Sequence, residues 1–348
     1  MMASGFISSR LGAKPQQTRQ VQRPGPAAVP QNMTQTTVLP ASLQAAVNLN
    51  VRYYFELTVS PGFDLEIPTG QLQKECQDEG VIIRRFGENV EQVFLGVFDG
   101  HGVQGLKASR FTGERMPMLL AQHPLLSTNY AQAFLDVCRE VGRQLLSGTC
   151  GFDCQYSGTT ACFGMLTGNG TLLLGNVGDS RAVVGRADAS GRVTGIDLTN
   201  DDKPTDAPEK ARIEASGGRV AQMEYDPGEF DGPFRVFLRE ANIPGLAMSR
   251  SLGDGLAESV GVIPDPTCSE YRILPEDKFV LLATDGLWEV FTSDEACKWA
   301  EDYFNSPEKM ARMPCTQALA EEAQRRWTRM DDDCVVDDTS ILIVRLRP

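Results

Sequence analysis

Histidine is scarce in this chain, with His101 and His123 the two examples among 348 residues. The nine cysteines are odd in number and scattered, and only Cys150 and Cys154 lie close together. Because histidine and clustered cysteine are the usual ligands of structural zinc, this composition disfavours a zinc site. With no signal peptide visible, the cysteine spacing predicts reduced thiols and no disulfide framework.

Long apolar runs are also lacking, and none approaches the roughly 20 residues that a membrane-spanning helix requires. Acidic residues outnumber basic ones, 46 to 33, which gives a net charge of −13. Such a surface repels nucleic-acid phosphates and anionic lipids. We therefore expect a monomer that binds neither nucleic acid nor membranes.

Acidic residues are absent before Glu56, where Gln, Pro, Ser, Thr and Ala dominate. The basic residues among the first 50 are Arg10, Lys14, Arg19 and Arg23. This composition cannot bury a core, so residues 1–48 are predicted to be a disordered basic tail and 49–348 one folded domain. We expect the protein in the cytoplasm, the nucleus or both. A mitochondrial transit peptide is a minor alternative, because the acid-free start is typical of one and the early prolines are not.

The domain is predicted to be α+β. Short β-rich runs recur at Val93–Phe98, Thr160–Leu166, Leu172–Val177, Ala182–Gly185, Val193–Leu198, Phe279–Ala283 and Ser340–Leu346. The turn Thr167–Gly170 predicts a hairpin. Helical patterns cover Ala207–Ser216, Asp294–Phe304 with Ser293 as its N-cap, and Cys315–Arg329. Strands that follow one another through hairpins favour antiparallel sheets with helices packed outside.

Several aspartates lie where an apolar run ends, next to a small residue. These are Asp99, Asp179, Asp254 and Asp285, while Asp337 and Asp338 instead open the last strand. Carboxylates gathered at one sheet edge repel each other unless cations neutralise them, and oxygen ligands select Mg²⁺ or Mn²⁺. Two such ions ~3.5–4 Å apart can activate a bridging water against a phosphoryl group. Any one Asp-Gly pair is equally consistent with a simple turn.

These segments resemble the metal-dependent, type 2C protein phosphatases, in family order from about residue 69. The matching stretches are VFDGHG (97–102), SGTTA (157–161), NVGDSRA (176–182), the block from Lys203 to Gly218, PGLAMSRSLGD (244–254), ATDGLWEV (283–290) and DDTS (337–340). The resemblance implies an αββα sandwich, in which two stacked antiparallel sheets are flanked by helices on both outer faces. It also implies a metal site at one edge of that sandwich.

The resemblance assigns roles residue by residue. Asp99 would bridge two Mg²⁺ or Mn²⁺ ions, and the Gly100 carbonyl would bind one of them. Asp285 and Asp337 would complete the second ion's shell, with Asp78 at the family's first aspartate. Asp179 and Asp254 match positions linked to a weaker third ion, or they orient water.

Two further residues have roles in the same comparison. His101 would protonate the departing Ser or Thr oxygen as general acid. Lys74 is expected to bind phosphate, although the family commonly has a base one residue earlier, where this chain has Gln73. A lysine there would act as a point charge without the bidentate geometry of an arginine.

The predicted function is hydrolysis of phosphoserine or phosphothreonine on protein substrates, with a bridging water attacking at a two-metal centre. A catalytically weak or dead homologue that acts as a binding module is the alternative, suggested by the altered stretch around Lys74. A phosphatase of small phosphoesters also stays open. A nucleophilic serine or cysteine is disfavoured, since no Gly-x-Ser-x-Gly elbow appears.

Overall fold

A computed structural model describes residues 53–66, 70–226, 228–330 and 335–346. The tail predicted for residues 1–48 lies outside these ranges. The first half of the described chain contains β1 (Tyr53–Ser60), β2 (Phe63–Glu66), β3 (Gly70–Gln73), β4 (Glu79–Arg84), β5 (Val93–Phe98), β6 (Gly100–His101), α1 (Gly105–Ala121), α2 (Tyr130–Leu146), β7 (Gly158–Thr159), β8 (Ala161–Leu166) and β9 (Thr171–Val177). A short 3-10 turn, Phe86–Glu88, follows β4.

The second half contains β10 (Arg181–Ala187), β11 (Val193–Asp197), α3 (Ala207–Ala215), β12 (Gly218–Asp226), β13 (Glu229–Leu238), β14 (Pro244–Leu246), β15 (Leu252–Gly253), α4 (Gly255–Glu258), β16 (Thr267–Arg272), β17 (Asp277–Ala283), α5 (Asp285–Trp288), α6 (Ser293–Phe304), α7 (Pro307–Met310), α8 (Cys315–Met330), β18 (Val335–Val336) and β19 (Thr339–Leu346).

Two five-stranded antiparallel sheets form the centre of the domain. One has the strand order β1-β19-β17-β10-β11, and the other β16-β9-β8-β5-β4. Between them lies a closed apolar layer, to which the first sheet contributes Leu282 and Leu342 and the second Leu95 and Val97. The predicted sandwich is confirmed.

Each sheet buries its other face under helices, because successive side chains of a strand point to opposite faces. On β5, Leu95 and Val97 face the first sheet, while Phe94 and Phe98 pack under α1 and α2. Phe279 and Leu281 of β17 pack in the same way under α6 and α8. Strands buried on both faces therefore read as nearly continuous apolar runs, which is why the sequence revealed them.

The predicted elements agree with the structure to within two residues at most ends. The hairpin between β8 and β9 is confirmed by their antiparallel pairing. The predicted N-cap of α6 is wrong, because the N-cap is Thr292 and not Ser293. The Thr292 side chain accepts a hydrogen bond from the Glu295 amide, and the Glu295 side chain accepts one from the Thr292 amide. Thr292 and Glu295 have the three-residue spacing of a capping box, a signal that the prediction of Ser293 did not use.

A three-stranded unit of β12, β13 and β14 stands apart from the two large sheets. Its base packs on α3 and α4 through a separate apolar cluster that includes Ile213, Val236 and Val262. The resemblance to the type 2C phosphatases implies a variable flap over Glu224–Arg239, and the hairpin of β12 and β13 begins earlier, at Gly218.

The described cysteines are free thiols, as the scattered spacing predicted. No helix among the described residues is long and apolar enough to cross a membrane.

Candidate metal and phosphate site

Antiparallel register brings the predicted aspartates to one end of the sandwich. Glu79 at the start of β4 lies opposite Phe98 at the end of β5, so Asp78 and Asp99 emerge side by side. Ala283 at the end of β17 lies opposite Ile341 near the start of β19, which places Asp285 near Asp337. Arg181 of β10 pairs with the same Ala283, so the loop that carries Asp179 joins this end too.

The carboxyl groups lie close enough to perturb one another. Burial raises the pKa of Asp99 well above its usual range, and the charges of Asp285, Asp78 and Asp337 raise it further. Burial likewise raises the pKa of Asp285, with Asp179 and Asp337 adding to it. The Asp99 and Asp285 carboxyls lie close enough to share a proton. Two carboxyls are stable at this separation only with a proton or a cation between them.

Neighbouring hydroxyls and amides fix the position of this cluster. The Thr284 hydroxyl donates a 2.9 Å hydrogen bond to Asp78 Oδ2, and the Asp99 amide donates a 3.0 Å hydrogen bond to Thr160 Oγ1. The pKa of Asp78 is raised to about 8, mainly by burial and further by the charge of Asp338. One oxygen each of Asp78, Asp179 and Asp285 is buried without a hydrogen-bond partner.

The Asp338 carboxylate next to this cluster is held by two backbone amides. Its two oxygens accept from the Gly62 amide at 2.6 Å and the Gln77 amide at 2.8 Å. Asp338 therefore ties the turn after β1 and the residue before Asp78 to the start of β19. Of the two adjacent aspartates, this leaves Asp337 beside the cluster, as the resemblance implied.

Two glycines allow the close backbone approach on which the site depends. A Cβ on Gly100 would lie 2.3 Å from the Gly105 carbonyl oxygen and 2.5 Å from that of Gln77. A Cβ on Gly286 would lie 2.0 Å from the Asp338 carbonyl oxygen. Real Cβ contacts are never this short, so any side chain here would separate Asp99 from Asp78, or Asp285 from Asp337.

His101 lies at the rim of the cluster and is held by Asp254. Its Nε2 is 2.6 Å from Asp254 Oδ2, and Ser251 donates to the same oxygen. Burial lowers the pKa of His101, but the Asp254 carboxylate and its hydrogen bond outweigh burial, and the pKa is raised. Asp254 thus lies against His101, and its predicted role as a ligand of a third metal stays a prediction.

Two lysines border the carboxylates. Lys74 Nζ lies 3.4 Å from Asp337 Oδ1 at the edge of the cluster, and its role in binding phosphate stays a prediction. Lys203 Nζ lies 3.3 Å from Asp179 Oδ2 and 3.6 Å from Asp201 Oδ2. Lys203 opens one of the stretches that resemble the family, but no role was predicted for it, since a lysine before proline has no pattern that points to a distant aspartate.

The donor set suits hard divalent cations. It consists of carboxylate and carbonyl oxygens, several of them buried and unpartnered, with no cysteine or histidine inside the cluster. Among the described residues, no three His, Cys, Asp or Glu side chains surround a single point at binding distance. Mg²⁺ tolerates such a site because it keeps several waters and takes one or two protein carboxylates.

The rim of the stacked antiparallel sheets thus carries carboxylates, with a histidine beside them and two lysines at their edge, which is compatible with the predicted metal-dependent phosphatase. A family model described as "Protein phosphatase 2C" matches residues 65–329. The chain is 32% identical over 306 residues to "Probable protein phosphatase 2C 72" of Arabidopsis thaliana, covering 82% of this chain and 88% of that one. It is 33% identical over 273 residues to "Probable protein phosphatase 2C 61" of the same plant, covering 78% and 80%.

Solved structures give the same fold. A serine-threonine phosphatase 2C from Toxoplasma gondii superposes with a TM-score of 0.69 at 20% identity, covering 84% of this chain and 95% of that one. A sex determining protein from C. elegans superposes with a TM-score of 0.65 at 19% identity, covering 85% and 65%. The chain belongs to the protein phosphatase 2C family. It is an enzyme of the metal-dependent serine/threonine protein phosphatase class.

The crowded carboxyls predict an unusual pH dependence of stability in EDTA. The pKa of Asp78 is raised from 3.8 to about 8, so between these pH values the folded state holds a proton that the unfolded state releases. The melting temperature in EDTA should therefore fall as pH rises from about 4 to about 8. Saturating Mg²⁺ should reduce the fall, because a cation replaces the proton.

Circular dichroism melts of the wild type and of Asp78→Asn measure this directly. The variant cannot lose that proton, so its melting temperature in EDTA should depend less on pH. A wild-type melting temperature in EDTA that rises over this pH range would contradict the described cluster.

Proposed function

We propose that this chain hydrolyses phosphoserine and phosphothreonine on proteins with a pair of Mg²⁺ or Mn²⁺ ions at the rim of its sandwich. The observation that carries the proposal is the close approach of the Asp99 and Asp285 carboxyls, with Asp78 and Asp337 alongside. Asp99, the Gly100 carbonyl, Asp285 and Asp337 would hold the ions. When bound, such ions lower the pKa of water and neutralise charge on the phosphoryl group.

Residues around the cluster would bind the phosphate and protonate the leaving group. Lys74 and Lys203 supply positive charge at its edge, where a phosphate would enter. His101 would give its proton to the leaving Ser or Thr oxygen, which otherwise departs as a poorly stabilised alkoxide. Asp254 favours that role, because its hydrogen bond orients the ring and holds the proton on it.

The alternative of an inactive homologue is disfavoured by the complete carboxylate set. Every aspartate that the resemblance assigned is present, and the antiparallel registers bring Asp78, Asp99, Asp285 and Asp337 to one end. Lys74, the predicted phosphate-binding residue, lies beside Asp337. We further propose that the enzyme acts as a monomer in the cytoplasm or nucleus, without binding membranes or nucleic acid.

Asp99→Ala should reduce phosphate release from a phosphothreonine peptide to the uncatalysed background, since Asp99 lies at the centre of the carboxylate cluster. Release is measured in parallel with EDTA, Mg²⁺ and Mn²⁺. Asp302→Ala is the matched control, because Asp302 is an exposed aspartate on α6. Metal-stimulated activity that survives Asp99→Ala would refute the proposed site.

His101→Ala should lower kcat for phosphothreonine peptides by about 10²-fold, the usual lower range for a general acid. The loss should be much smaller for an activated aryl phosphate, whose leaving group needs no proton. The other histidine provides the control: His123 lies 3.5 Å from Asp136, away from the cluster, so His123→Ala should leave both rates unchanged. Equal losses for both substrates would exclude the acid role.

A further inference from the structure

Two exposed side chains, Val103 and Tyr156, belong to backbone segments that adjoin His101. Val103 is 89% exposed and Tyr156 is 58% exposed. Strand β6 pairs with β7 so that His101 lies opposite Gly158, two residues after Tyr156. A Cβ on Gly102 would lie 2.3 Å from the Tyr156 carbonyl oxygen, so the backbones that carry the two side chains are in contact. Val103 and Tyr156, named here the apolar rim, therefore border the same side of the site.

The fold gives no reason for an apolar residue at position 103. Val103 directly precedes Gln104, the N-cap of α1. A hydrophobic residue at this place commonly packs against the fourth residue of the helix, which here is Ala108. Ala108 is fully buried, whereas Val103 is almost fully exposed, so this contact is not made.

Tyr156 is equally unused within the domain. Its hydroxyl makes no hydrogen bond and its ring no aromatic pair within the described ranges. Tyr271, by contrast, donates to Asp277, and Tyr130 packs edge-on against Phe134. A solvated valine next to a solvated tyrosine contributes little to folding, and the pair is available to a ligand.

The chemistry of the reaction determines what passes over this rim. His101 gives its proton to the oxygen that leaves, and in a phosphoprotein that oxygen carries the peptide chain. The substrate backbone must therefore run along the His101 side of the site. One residue spans at most about 3.6 Å, so the residues adjacent to the phosphorylated one reach the immediate surroundings of His101.

We propose that Val103 and Tyr156 bind an apolar side chain on a residue next to the phosphoserine or phosphothreonine, which makes them specificity-determining residues. This inference rests on the function proposed above. Apart from Asp99 of the carboxylate cluster, the charged residues closest in sequence are Asp153 and Lys107, which have opposite signs and favour neither charge on the substrate. Burial of apolar surface is the interaction that remains.

The test compares two phosphothreonine peptides of equal length and charge, one with leucine on both sides of the phosphothreonine and one with serine there. The wild type should favour the leucine peptide in kcat/KM by about tenfold, which corresponds to about 1.4 kcal/mol. The double variant Val103→Ser, Tyr156→Ser should lose this preference through a higher KM for the leucine peptide. Contacts away from the phosphorus stabilise ground state and transition state alike, so kcat should change little.

Val90 and Tyr54 provide a matched control, since each is 44% exposed and neither adjoins His101. The double variant Val90→Ser, Tyr54→Ser should keep the preference. Equal kcat/KM for the two peptides in the wild type, or a preference that survives in the rim variant, would overturn the proposal.

Failure of the proposed function has a different signature, namely no metal-stimulated release from either peptide. In that case, fluorescence anisotropy of the labelled phosphopeptides in EDTA still decides the matter. The wild type should bind the leucine peptide more tightly and the rim variant should not; equal binding by the wild type would contradict the apolar rim.

Discussion

Like-charge repulsion at one end of the sandwich is the constraint on which the site depends. Asp78, Asp99, Asp285 and Asp337 come from the ends or starts of four different strands, and burial together with neighbouring carboxylates raises the pKa of Asp78, Asp99 and Asp285. Folding alone does not favour such an arrangement, because burial removes the hydration of these carboxylates and brings like charges together. A protein that keeps it must recover the free energy by binding protons or, in function, divalent cations.

The antiparallel sheets make this crowding possible. Paired strands that run in opposite directions place the start of one beside the end of the next. The pair β4 and β5 therefore brings two aspartates to this end of the sandwich, and the pair β17 and β19 brings two more. Gly100 and Gly286 then permit backbone contacts that no side chain would allow. The apolar layer between the sheets aligns the two pairs with each other, which links the stability of the core to the geometry of the site.

Sequence patterns predicted the inner strands of both sheets, because residues buried on both faces leave short continuous apolar runs, but missed the edge strands β1, β4 and β16. The helix α1 was not predicted, since Gly105, Pro117 and mixed polar residues obscure its helical period, whereas the clear amphipathic pattern of α2 was overlooked. The candidate aspartates were found from their positions at strand ends and from motif resemblance. Two interactions were not predicted: the hydrogen bonds of Asp338 with the Gly62 and Gln77 amides, and the contact between Asp254 and His101. Each joins residues that are more than 150 positions apart in the chain. No local pattern encodes such pairs.

Crystals grown with Mn²⁺, with diffraction collected at the manganese absorption edge, would reveal whether the carboxylate cluster holds metal ions. We expect anomalous peaks within about 2.0–2.1 Å of the Asp99 carboxylate oxygens, a metal–oxygen distance typical of a small hard cation. One peak should also contact the Gly100 carbonyl, and the other Asp285 or Asp337. Crystals without manganese at Asp99, in which the Asp99 and Asp285 carboxyls still share a proton, would contradict it.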